Sequence, residues 1–143
     1  MPSTKLAANK ILNNILGVGT LARPTKFYVG LSTTTIDANG DGVSEPTAGK
    51  NYYRTAIETS HWNPAENSTI TNGSQISFLK ATGNWGVIKE IFISECSATG
   101  ASGSCIWFHQ PLIPNIPVLS GTTVIIPPES LVIKRDSGAY ETG

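Results

Sequence analysis

The residues best suited to chemistry lie in one polar loop, where Asp37, Asn39 and Asp41 alternate and Gly42 follows at the point where a calcium-binding loop turns sharply. Side-chain oxygens at that spacing can surround a hard cation. A complete loop of this kind ends in a bidentate Glu at its twelfth position; here that position is Ala48, with Glu45 at the ninth as a further donor. The same residues also suit an Asx-rich turn that satisfies its own backbone without an ion. Calcium on Asp37, Asn39 and Asp41 is therefore the single cofactor the sequence admits, and otherwise none is expected.

Cys96 and Cys105 flank the small-residue segment SATGASGS, which reads as a hairpin tip or surface loop across which the two thiols could face each other, with two free thiols the expected state. Reducing cytoplasm favours free thiols, whereas a particle that leaves the cell meets an oxidising medium in which a disulfide is possible. Zinc would need four ligands, and His109 supplies only a third. The two histidines, His61 and His109, each stand beside a tryptophan or phenylalanine, with no patterned nucleophile or second ligand. No GxSxG elbow, phosphate-cradling glycine loop or paired carboxylates at a cleft is present, so no enzyme is expected.

With 143 residues the chain is long enough for one domain with its own core. Ten basic residues balance ten acidic ones and only 14% of residues are charged, which argues against a nucleic-acid partner. Low charge with 14 glycines and 9 prolines is the profile of an all-β protein rich in turns, or of one whose surface is covered by other subunits. The only helical pattern is short and carries Lys5, Asn9, Lys10, Asn13 and Asn14. Neither a membrane span nor a signal-peptide core is read there, so synthesis is expected in the cytoplasm and no membrane partner is expected.

That helix runs from Ser3 to Leu16, with Ala8, Ile11, Leu12, Ile15 and Leu16 at spacings of three and four before Gly17 and Gly19 stop it. Its apolar face packs either on its own sheet or on a neighbouring subunit. Strands are expected over Lys26–Ser32, where Gly30 marks a bulge or close backbone approach, and over Tyr52–Glu58, which places Arg54 and Glu58 together toward solvent. The organising unit is Thr71–Glu95: one alternating strand through Ile76 and Phe78, a Gly83-Asn84-Trp85-Gly86 turn, and an apolar run from Val87 to Ile93 covered on both faces. Trp85 should lid the core, with Phe78, Ile91 and Ile93 inside. A strand over Ile106–Gln110 is expected to end at Pro111, Pro114 and Pro117. Thr122–Ile126 and Leu131–Lys134 follow.

The fold expected is an all-β Greek-key or jelly-roll-like sandwich of about seven or eight strands with a short N-terminal helix. Residues 1–19 form the helix and linker, 20–136 the sandwich, and 137–143 a flexible C-terminal tail.

The order of these signals resembles a family of small virion proteins of tailed bacteriophages. The likeness rests on a helix ending in Leu-Gly, FYVGLST, an acidic glycine-rich loop, YYRTAI and TNGSQISFLKATGNWGVIKEIFI, and spans about residues 5 to 135. Lys50-Asn51-Tyr52 departs from the family's usual Gly-Gly-Tyr, as does the Pro111 to Pro117 segment. Members are often described as tail fibre proteins, and proteins of this size and β character also serve as capsid cement. The resemblance implies a structural virion protein made in the bacterial host cytoplasm.

Capsid decoration is the expectation, since a short chain without internal repeats suits capping or clamping better than a long shaft. The partners would be further copies of itself and the major capsid or other virion proteins, with Ile11, Leu12, Ile15 and Leu16, or the flexible Asp136 to Gly143 arm, at the interface. The alternative is a tail-fibre module binding a receptor or glycan, which would need Trp62, Trp85, Trp107, Tyr52 and Tyr53 as an exposed platform.

Overall fold

The computed structural model describes residues 1–19, 24–47, 49–97, 99 and 105–134. Its architecture is an all-β sandwich of antiparallel strands with one short helix at the N-terminus. The helix, α1, spans Lys5–Ile15, and eight strands follow among the described residues. These are β1 (Phe27–Ser32), β2 (Thr55–Ile57), β3 (Thr69–Thr71), β4 (Ile76–Ser77), β5 (Gly86–Ser94), β6 (Ile106–Val118), β7 (Ile125–Ile126) and β8 (Val132–Lys134). The expected tail, 137–143, lies outside the described residues.

Four strands make the main sheet in the order β2-β1-β5-β6, and the pairs β3-β8 and β4-β7 make the opposing layer. Between the layers lie Val29 and Leu31 of β1, Ile88 and Ile93 of β5, and Ile76, Phe78, Ile126 and Ile133 from across the gap. The alternation of β5 explains its dual role. Ile93 faces this core, while Phe92 turns to the other face and packs with Ile36 and Ile106. A strand covered on both faces needs the near-continuous apolar run that the sequence carries.

Trp85 lies within the core, 3% exposed, with edge-on contacts to Tyr52 and Phe78, and its indole N–H donates to the Lys50 carbonyl at 2.8 Å. Gly86 takes a φ of +90° at the turn into β5. Phe78 and Ile93 are buried as expected, but Ile91 is only half-buried, packed against the core cluster rather than enclosed by it.

Two expectations are corrected. The prolines do not end β6: the strand runs on to Val118 at the sheet edge, where a proline lacking its N–H costs no ladder bond. Pro111 stands opposite Glu90 and Pro117 opposite Val87. The register shift between them pushes out the stretch around Ile113, which is 92% exposed. Arg54 does not face solvent with Glu58; it is buried beneath the 33–47 loop on an acidic partner described below. Thr69–Thr71, where the sequence marks no strand, is β3, paired with β8 after a two-residue turn at Asn67 and Ser68.

Candidate docking surface at the helix end

The first two turns of α1 are tied to the edge of the sheet. Thr4 caps the helix by accepting from Ala7 N at 3.3 Å, and the same hydroxyl donates to the Ile106 carbonyl at 2.6 Å. Thr4 N donates to the Trp107 carbonyl and His109 N to the Pro2 carbonyl, so the N-terminal segment borders β6 along its first half. Ala7 is fully buried, and Lys10 lies over the Trp107 ring and pairs with Glu95 at 3.3 Å.

Beyond Lys10 the helix leaves that support. Ile11 is half-buried, whereas Leu12 is 48%, Ile15 70% and Leu16 73% exposed. The end is closed nonetheless: Gly17 takes a φ of +74°, Gly17 N donates to Asn14 O, and Val18 N returns to Asn13 O, the paired bonds of a Schellman stop. That stop holds Val18, 76% exposed, on the same tip. The expected interface residues Leu12, Ile15 and Leu16 thus share one exposed apolar tip with Ile11 at its base. Val18 was missed by a reading that ended the apolar face at the last helical turn.

The polar loop is built as a strap. Asp37 Oδ1 accepts from Asn39 N at 2.8 Å and Asp41 N at 3.0 Å, and Gly40 N donates to the Asp37 carbonyl, an Asx turn closed on its own backbone. Gly42, at φ +93°, would place a side chain 2.7 Å from the Thr35 carbonyl. Glu45 does not join Asp37 and Asp41. Its carboxylate makes a two-pronged pair with Arg54 at 2.8 and 3.0 Å and accepts from the Tyr52 hydroxyl at 2.7 Å. Arg54 also donates to Ser94 Oγ and the Cys96 carbonyl and lies over the Phe92 ring, which compensates its burial. Glu90 holds the loop a second time, accepting from Ile36 N at 2.7 Å and meeting His109 Nδ1 at 2.9 Å. Burial first, then the Glu45 charge, raises the Tyr52 phenol far above its ordinary range.

Among the described residues no group of three or more His, Cys, Asp or Glu side chains gathers around a common point. His61 accepts from Glu58 N at 3.0 Å within a single 3-10 turn, Thr59–His61. Cys96 and Cys105 are joined in the structure, with Cα atoms 5.7 Å apart. Of the aromatic platform, Trp85, Trp107 and Tyr52 are buried; Trp62 is half-buried and Tyr53 is 63% exposed. Among the described residues, no helix is long and apolar enough to cross a membrane.

Residues 2–134 match a family model, Gp80, described as podophage GP4 fiber I protein gp80. The chain belongs to this family. The match bears out the resemblance to phage virion proteins and embraces the helix, both layers and the strap of this Gp80-family protein. No curated protein matches it.

Proposed function

We propose that this Gp80-family protein is a structural subunit of a phage particle that plugs the apolar tip of α1 into a neighbouring virion protein and presents the sandwich outward. The observation that carries this reading is the exposure of Leu12, Ile15, Leu16 and Val18 on a capped helix end. Isolated apolar side chains on a surface are ordinary, but four on one tip leave a patch that water does not favour. Burying one such side chain fully is worth about 1.5–3 kcal/mol, so the tip can anchor a subunit when many copies act together.

Placement in a fibre is supported by the family's description as a fiber protein. Capsid decoration is the second reading, supported by a small sandwich with no internal repeat, which suits a cap better than a shaft. Among the described residues the buried acids and both histidines are engaged in holding loops, which supports a structural role. Quantitative mass spectrometry of gradient-purified particles, with localisation in a particle reconstruction, tests the proposal. A copy number on the scale of the shell subunits would select the capsid surface, and a much smaller one at the tail would select the fibre. Absence from purified particles would overturn both.

A further inference from the structure

On the side of the sandwich bounded by β1, β2 and β3, a groove of about 480 Å3 opens between Pro24, Phe27, Glu58, Thr59, Trp62 and Asn63. That volume falls within the ~300–1,000 Å3 typical of small-ligand sites. Its walls differ from those of the apolar tip. Trp62 and Phe27 are half-buried and line the groove, and the polar members Thr25, Glu58, Thr59 and Asn63 are placed among them. A second hollow of about 230 Å3, walled by Phe27, Trp62, Ile70, Ile93, Phe108 and Ile133, shares Phe27, Trp62 and Ile70 with the groove. It is almost wholly apolar.

We propose that this groove is a saccharide-binding site, with Trp62 as the stacking platform, for neutral sugars that carry an apolar substituent such as an N-acetyl or 6-deoxy methyl group. A pyranose has an apolar C–H face and a rim of hydroxyls, which suits a partly exposed indole bordered by a carboxylate and an amide. The polar groups are held in place beforehand. Asn63 Nδ2 donates to Thr71 Oγ1 at 3.0 Å and Asn63 N to the Thr71 carbonyl at 2.9 Å, while the Glu58 side chain caps the 3-10 turn that carries Trp62 at its end. The Glu58 carboxylate, 56% exposed and paired only loosely with Lys26 at 3.6 Å, accepts hydroxyl hydrogens and disfavours anionic sugars. The adjoining apolar hollow gives the substituent a place that a plain hexose would leave unfilled. The groove's lining residues lie outside α1, and the site rests on the virion reading only for where a sugar would be met. Binding by the isolated protein is therefore tested separately from incorporation into particles.

The experiment is a nuclear magnetic resonance titration of the isotope-labelled full chain with triacetylchitotriose, methyl α-L-rhamnoside and maltotriose as probes. The Trp62 indole N–H is read against those of Trp85 and Trp107, which are buried and serve as internal controls. We expect a saturable shift at Trp62 with triacetylchitotriose or the rhamnoside, at a Kd of about 1 mM or below, and weaker binding of maltotriose. Trp62→Leu should weaken binding at least about tenfold, the factor that corresponds to 1.4 kcal/mol of lost contact. Because Trp62 also packs against the core, Glu58→Gln serves as a second variant at an exposed position and should weaken binding with an unchanged spectrum elsewhere. No shift at Trp62 with any of the three probes overturns the proposal, as does binding that both variants leave intact.

Discussion

A side chain placed at Gly30 would have its first carbon 2.2 Å from Cζ of Phe92, so the ring lies directly against the backbone of the neighbouring strand. Gly30 and Phe92 are register partners on β1 and β5, and the absent side chain is what lets Phe92 lie flat beneath Arg54. Gly30→Ala should destabilise the fold by about 1–3 kcal/mol through overpacking, measured by urea denaturation. A change within experimental error would show that the ring moves aside freely.

The core between the layers should respond by position rather than by residue type. Ile93 is 1% exposed and faces the opposing layer, so Ile93→Ala should cost about 2–5 kcal/mol. Ile91, half-buried, should lose clearly less with the same substitution. Equal losses at both sites would contradict the difference in burial between Ile93 and Ile91.

The buried Tyr52 phenol sets an alkaline limit. Its pKa is raised above 10.0 by burial and by Glu45, so folded and unfolded chains both hold the proton below pH 10 and the group adds no slope there. Above that pH the unfolded chain releases the proton while the folded chain keeps it, and stability falls as pH rises. Tyr52→Phe should flatten this decline between about pH 10 and 12. At neutral pH it should cost about 1–3 kcal/mol, because Leu31 N, 2.9 Å from the hydroxyl, loses its buried acceptor. An unaltered alkaline slope would contradict this assignment.

The junction of Cys96 and Cys105 closes a short loop, with a sequence separation of 9 residues. We expect protein recovered from purified particles to show no thiol reactive under denaturing, non-reducing conditions, and reduction to lower stability by about 2–3 kcal/mol. Two reactive thiols would mean that the bond does not form on the particle.

Periodicity carried most of the fold. The 3.6-residue spacing from Ala8 to Leu16 marked α1, and the apolar run of β5 identified a strand buried on both faces. What escaped was decided by partners distant in sequence. Arg54 looks like a solvent-facing strand residue until Glu45, Ser94 and the Cys96 carbonyl close around it. The prolines of β6 look like breakers until the strand is known to lie at an edge. Thr69–Thr71 is too short and polar to show a period, and becomes a strand through β8. At the candidate surface, Leu12, Ile15 and Leu16 were legible as an apolar face, but their exposure was not, because the same stripe would serve a helix packed on its own sheet.

Incorporation of a tip variant tests the account most directly. Leu12→Ser, Ile15→Ser and Leu16→Ser combined remove apolar surface from side chains 48%, 70% and 73% exposed, so the fold and its melting temperature should be little changed. Particles produced in a host supplying only this variant should then carry at least about tenfold less of the protein than those with the native chain, since each lost contact of 1.4 kcal/mol is a factor of ten. Normal copy number of the correctly folded triple variant in purified particles would contradict docking through the α1 tip.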